Sequence, residues 1–383
     1  MSVVAAGGFL AGGVACGIKG GETLDLAVVA ADRVVPAAGV FTTSTTAAPP
    51  VLVSRDHLTD GLARVVVLNS GCANAGTGAE GHADAIATAR AAAALYGCAP
   101  DEVLVCSTGM IGPRLPSRLL IEGLPKRLDS EAMAGTAAAE AIMTTDSVSK
   151  EAVLETAGYT IGGMAKGAGM IRPDMATMLA VITTDARMAP TELREALAAA
   201  VDESFNSLNV DGCQSTNDSV LIMASGESGV APDLIDFRAA LTEVCRDLAH
   251  QIAADAEGAR RVITVQVTGA VDDRTARQIG KALTDSDLVR SSFYGGDPNW
   301  GRIFGALGVG PGEIAPDSIS VSYEGVLVAS GGVGVSFDEA PLLSTLQNGD
   351  FTVDVTIGDG PGRATVLTTD LTPEYVRFNG ERS

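Results

Sequence analysis

The chemistry of this 383-residue chain concentrates at Ala176-Thr177. A threonine hydroxyl is a weak nucleophile at neutral pH and needs a base beside it. If the preceding bond is cut, the threonine becomes an N-terminus. Its own α-amine, with an unperturbed pKa of about 7.7–8.0, can then take the hydroxyl proton near neutral pH. The same hydroxyl can make the cut. It attacks the carbonyl of Ala176, the acyl group shifts from nitrogen to oxygen, and water hydrolyses the ester. A small residue before the threonine lets the backbone bend, and a rigid strand after it holds the new terminus. Read alone, Ala-Thr is also an ordinary dipeptide at a strand start. Such a threonine needs no histidine, and His57, His82 and His250 sit in no recognisable triad.

Three further places could serve acyl transfer. Gly109 follows the apolar run Val103–Ser107, where a glycine lets a backbone N–H approach a ligand; it also reads as a plain turn glycine. Lys166 is one of five lysines and lies among glycines just before Thr177, suited to a carboxylate or a developing anion, or simply a solvated loop charge. Glu257 ends a long helical pattern and can pair with an ammonium, or cap a surface helix.

These residues need elements to hold them. Runs of five to eight residues rich in Val, Ile and Thr predict strands at 26–30, 64–69, 103–107, 177–184, 219–224, 262–267 and 318–323. The runs 351–357 and 363–367 read as a strand pair. Helices are predicted at 83–95, 130–143, 190–205, 235–256 and 273–283. Pro190 suits a first helical turn and Glu192 suits its dipole. Strands and helices mix throughout, so a layered α/β sandwich is the natural class. The segment from Lys166 to Thr177 reads as a long irregular stretch, which inside a compact domain is a functional or mobile feature.

Composition narrows the function classes. A net charge of −21 argues against nucleic acid or an anionic membrane as partner, while remaining compatible with small cationic substrates. Six scattered cysteines form no CxxC and no Cys/His ligand spacing, which reads as reduced thiols of a cytosolic protein without a structural metal. The glycine-broken N-terminus lacks a basic region and does not read as a targeting segment. No run approaches the roughly 20 apolar residues of a membrane helix. The glycine clusters at 305–310 and 331–334 do not fit a dinucleotide fingerprint, and no phosphate-loop lysine motif occurs.

The segment KGAGMIRPDMATML at 166–179 resembles the self-cleavage motif of the ornithine acetyltransferases, also called glutamate N-acetyltransferases. Family-like stretches follow in order: NSGCANAGTG at 69–78, STGMIG at 107–112, AIMTTD at 141–146, STNDS at 215–219, AEG at 256–258, GDPNWGRI at 296–303 and EYVRFN at 374–379. They cover nearly the whole chain. The resemblance implies an αββα sandwich of the self-cleaving N-terminal-threonine type, with a smaller C-terminal α/β lobe at about 275–383. It implies an alpha chain, 1–176, and a beta chain, 177–383, cut between Ala176 and Thr177. Thr177 would be the nucleophile, and Thr108 with Gly109 the oxyanion hole. Thr144, Lys166, Glu257, Asn379 and Ser383 would contact substrate. The implied activity is ping-pong acetyl transfer from N-acetylornithine to glutamate for arginine biosynthesis. No cofactor or metal is implied. Acetyl-CoA as a further donor is left open. A cytoplasmic dimer of cleaved protomers, two alpha and two beta chains, is the implied assembly.

Some positions depart from the family pattern. His250-Gln251 stand where the family tends to have Lys-Asp, Ala256 replaces a usual glycine, and the tail ends Asn379-Gly-Glu-Arg-Ser383 without the family's tyrosine. An altered acetyl acceptor therefore stays open. So do two other readings: an N-terminal-nucleophile amidase or aminopeptidase, in which water replaces the amine, and a non-catalytic amino-acid-binding protein.

Overall fold

The computed structural model describes residues 2–125, 128–171 and 178–381. Along the chain, β1 (Phe9–Val14), β2 (Leu26–Phe41), β3 (Leu62–Asn69), β4 (Val103–Ser107), β5 (Lys150–Glu155), β6 (Thr160–Lys166) and β7 (Leu179–Thr184) belong to one sheet system. The two-residue β8 (Leu208–Asn209) belongs to another, and β9 (Ser219–Ala224) returns to the first. Two compact units result: Met1–Asn206 with Cys213–Ile252, and Ser207–Gly212 with Ala253–Ser383.

The first unit is a sandwich because its strands alternate. In β2, β3 and β4, Ala27, Val29, Val66, Leu68, Leu104 and Cys106 face one core, together with Leu179 and Val181 of β7 and Leu221 and Met223 of β9. The intervening Val28, Val65, Val67, Val103 and Val105 face a second core, against Ala85, Ala89, Ala92 and Ala93 of the helix Gly78–Tyr96. A period of two in the strands meets a helical stripe of small residues. On the far side, Leu248 and Val244 of the helix Leu234–Ala254 close on Gly163 of β6 beside Ile182 of β7. The layers therefore run helix, sheet, sheet, helix, as expected.

One strand joins both sheets. β2 pairs with β1 and β3 through its first half and with β9 through Ala37–Phe41, with a register break between Ala30 and Val35. Its expected end at residue 30 falls short because Asp32, Arg33 and Pro36 interrupt the apolar pattern. β7 lies between β6, antiparallel, and β9, parallel, and all six of its residues are buried. A strand covered on both faces reads as a continuous apolar run, which Leu179–Thr184 is.

The second unit holds β8 with β10 (Val262–Gly269), β11 (Ser320–Tyr323), β12 (Val326–Ser330), β13 (Val333–Gly334), β14 (Phe351–Thr356) and β15 (Gly360–Thr369), in the order β13-β12-β11-β14-β10-β15-β8. It takes in β10, and so reaches back past position 275. The run pair 351–357 and 363–367 does not form a hairpin: β10 inserts between, parallel to β14 and antiparallel to β15. Adjacency in sequence suggested pairing; the short connection instead passes the end of β10, where a side chain at Gly269 would meet the Gly358 carbonyl. No helix of the described residues is long and apolar enough to cross a membrane.

Candidate active site

The site assembles in the first unit, where β4 and β6 end and β7 and β9 begin. Lys166 is the last residue of β6, opposite Leu179 of β7, so it closes a strand rather than opening a loop. It is 2% exposed, and its ammonium lies 3.4 Å from the Thr108 hydroxyl and 3.9 Å from Asp146 Oδ2. The solvated-charge reading of Lys166 is thereby replaced by a buried cation held over the turn that follows β4.

That turn is shaped by close backbone approach. The Thr108 amide donates to Asn69 O at 2.9 Å, so only its hydroxyl is left to face a ligand. Gly109 has φ of 124°, and a β-carbon there would sit 2.4 Å from the Gly71 carbonyl carbon. Its own N–H makes no hydrogen bond among the described residues. Asn217 pins the same region by donating to Ala73 O at 2.6 Å and Ser107 O at 2.9 Å.

Asp146 organises the cations. It accepts from Lys150 at 2.6 Å and the Gly167 amide at 2.7 Å with Oδ1, and from the Thr144 amide at 2.9 Å with Oδ2. The Thr144 hydroxyl lies 3.4 Å from the same Oδ2. Burial pushes this carboxyl up, but Lys166 and Lys150, aided by these bonds, outweigh it and hold it down at about 2. Lys19, which donates to Met143 O at 2.6 Å, feels Asp146 and Lys166 as well. Burial lowers its amine, Asp25 and Asp146 oppose that, and Lys166 adds to it.

Asp218 precedes β9 and is wholly buried. Its Oδ1 takes the Met178 amide at 2.8 Å, and so fixes the residue that follows Thr177. Burial pushes its carboxyl well up, with the Met178 amide and Lys166 opposing.

Of the expected site residues, Thr108, Gly109, Thr144 and Lys166 come together in this unit. Glu257 and Asn379 come together in the other, where the Asn379 amide donates to Glu257 Oε2 at 3.0 Å. Gly258 makes that approach possible, since a β-carbon there would meet the Tyr375 amide nitrogen at 2.4 Å. The helix before Glu257 ends at Ala254, two residues earlier than its pattern suggested. Ala176, Thr177 and Ser383 lie outside the described residues. Sequence reasoning did not single out Lys19, Asp146, Lys150, Asn217 or Asp218. Three of them stand inside the stretches AIMTTD and STNDS, which was the available signal.

The sequence matches the ArgJ family over residues 10–383. It is 48% identical over 387 residues to the arginine biosynthesis bifunctional protein ArgJ of Thermobifida fusca, covering 100% of both chains. The protein of the same name from Bifidobacterium longum is 44% identical over 390 residues, with 100% and 99% covered. Among solved structures, the arginine biosynthesis bifunctional protein of Bacillus halodurans aligns with a TM-score of 0.50 at 38% identity. That alignment covers 52% of this chain and 96% of the solved one. This chain belongs to the ArgJ family.

Proposed function

We propose that the chain is an ornithine acetyltransferase that cuts itself between Ala176 and Thr177 and works through Thr177. The observation that carries the reading is the constellation just before and after that bond: Lys166 over the Thr108–Gly109 turn, and Met178 anchored by Asp218. Family membership supplies the reaction class. The solved relative also fits a cut: one of its chains, almost wholly aligned, spans 52% of this one.

Thr177 Oγ attacks the acetyl carbonyl of N-acetylornithine, and its proton passes to its own α-amine. The Thr108 hydroxyl and the Gly109 N–H hold the oxyanion, and the carbon–nitrogen bond breaks as the amine proton moves to departing ornithine. Glutamate's amine then attacks the ester by the reverse path, giving N-acetylglutamate and free Thr177. Lys166 and Thr144 receive the substrate, the lysine as a point charge for a carboxylate. By family resemblance Glu257, Asn379 and Ser383 also contact substrate, with Glu257 suited to a side-chain ammonium. The cleaved protomers pair into a dimer, and the enzyme works in the cytoplasm; an assay with and without acetyl-CoA reads whether it is a further donor.

The test is intact mass together with N-terminal sequencing. Fragments 1–176 and 177–383, the second beginning Thr-Met-Leu-Ala, are expected, while Thr177→Ala stays uncut. Active protein consisting of one uncut chain sinks the mechanism.

A further inference from the structure

The connection from β1 to β2 carries a lysine that the proposed reaction does not use. Asp25, wholly buried, accepts the amides of Cys16 at 2.6 Å, Gly17 at 3.1 Å and Lys19 at 2.9 Å, and so folds the connection into a fixed loop. From that loop the Lys19 ammonium donates to Leu24 O at 3.0 Å and, far along the chain, to Met143 O at 2.6 Å. Its stem crosses Gly71: a β-carbon there would lie 3.0 Å from Lys19 Cγ, and it is the Gly71 backbone that closes on Gly109. Met143 lies just past the helix Ala132–Ala141, where carbonyls lack helical donors and a cation is favoured. The next residue is Thr144, whose amide and hydroxyl both turn to Asp146. The charges of Asp146 and Lys166 both act on the Lys19 ammonium, in keeping with that position.

We propose that Lys19 is a positioning residue of the substrate site, an ammonium that ties the β1–β2 loop to the turn carrying Thr144 and so fixes where the Thr144 hydroxyl meets the bound amino acid. This rests on the placement of Thr144 against substrate in the proposed function. The turn is held from two sides: Lys19 takes the carbonyl before Thr144, and Asp146 takes the amide of Thr144 itself. Ser70 Oγ, which donates to Ala141 O at 2.6 Å, holds the helix end two residues earlier. Hydrogen bonds from a charged donor are roughly twice as strong as neutral ones, which is the use of a lysine here. Without the ammonium, Met143 O turns to solvent and the hydroxyl of the next residue shifts.

Lys19→Met removes the ammonium and keeps most of the stem. In folded protein it should raise the KM for N-acetylornithine about tenfold and leave kcat within about twofold, the pattern of lost binding. A variant that merely folds less well lowers kcat and leaves KM where it was. The second arm is Thr144→Ala, alone and combined with Lys19→Met. Because the lysine acts through Thr144, the double variant should have a KM within about twofold of Thr144→Ala alone. An unchanged KM in Lys19→Met, or effects that multiply in the double variant, overturns the role of Lys19 and leaves the proposed function standing. An unchanged KM in Thr144→Ala removes Thr144 from the site, and this proposal with it. If Lys19→Met does not fold, Lys19→Gln, a neutral donor on a shorter stem, is read in the same way, and a wild-type KM there refutes the assignment.

Discussion

Asp146→Asn removes the carboxylate that, among the described residues, is bonded to Lys150, whose side chain is wholly buried. Removing one partner of a buried ion pair costs about 3–5 kcal/mol, because the remaining charge stays buried. A second route gives a compatible figure. Asp146 is held at about 2 against an ordinary value of 3.8, which corresponds to roughly 2–3 kcal/mol of stability at neutral pH. The folded value lies below the unfolded one, so that contribution is complete above about pH 4 and disappears as pH falls through about 2. The measurement is denaturant unfolding in a Thr177→Ala background, which on the proposed function stays uncut and so unfolds as one chain. At pH 7 the variant should lose about 3–5 kcal/mol, and the gap from the parent should narrow as pH falls from 4 towards 2. Asp146→Asn with Lys150→Met should recover at least half of the loss, since the closer of the two cations is removed with its carboxylate. A loss below about 1 kcal/mol, or no recovery in the double variant, refutes the reasoning that this cluster is held by charge.

The turn after β4 invites two kinetic tests. Thr108→Ala should slow acetyl transfer by about 10²–10³ with little change in the unfolding midpoint, because it removes the one free donor of that residue; wild-type turnover removes Thr108 from the site. Gly109→Ala forces a β-carbon against the Gly71 backbone at a φ of 124°, so it should lower stability by about 1–3 kcal/mol and turnover at least tenfold; unaffected kinetics show that the Gly109 N–H takes no part. For substrate choice, N-acetylornithine should be used well above N-acetylleucine, and Glu257→Gln should weaken acetylornithine use more than acylation by a small neutral ester. Equal rates on the two acetylated amino acids mean that Glu257 does not read an ammonium.

The sequence displayed what strong local pattern can display. Val103–Ser107, Ser219–Ala224 and most of β7 stood out because β-branched residues buried on both faces leave an unbroken apolar run. β5 and β6 did not, for opposite reasons. Lys150-Glu-Ala-Val-Leu-Glu carries charge at both ends, and Thr160-Ile-Gly-Gly-Met-Ala-Lys is too glycine-rich to look like a strand. Lys166 consequently looked like the opening of a loop when it closes a strand. Strand order was beyond reach for the same kind of reason: β10 slips between β14 and β15, and nothing local to either run records a partner so far back in the sequence.

The electrostatic character of the site was hidden by the average. A chain with a net charge of −21 places three of its five lysines, Lys19, Lys150 and Lys166, around one carboxylate. Asp146 acts on all three, and Asp25 acts on Lys19 as well. Lys166 thus brings a buried cation to Thr108, inside a protein whose net charge is negative. On the proposed function, an amino-acid carboxylate would be drawn to that cation over short range, and so would an oxyanion forming on the acetyl group. At long range the acidic surface attracts a cationic substrate such as an ornithine derivative, and it does nothing to attract glutamate. Raising the salt concentration should therefore raise the KM for N-acetylornithine while leaving or lowering that for glutamate, because screening acts on the exposed charges and spares the buried cluster. An increase of the same size for both substrates would mean that the surface charge plays no part in choosing between them.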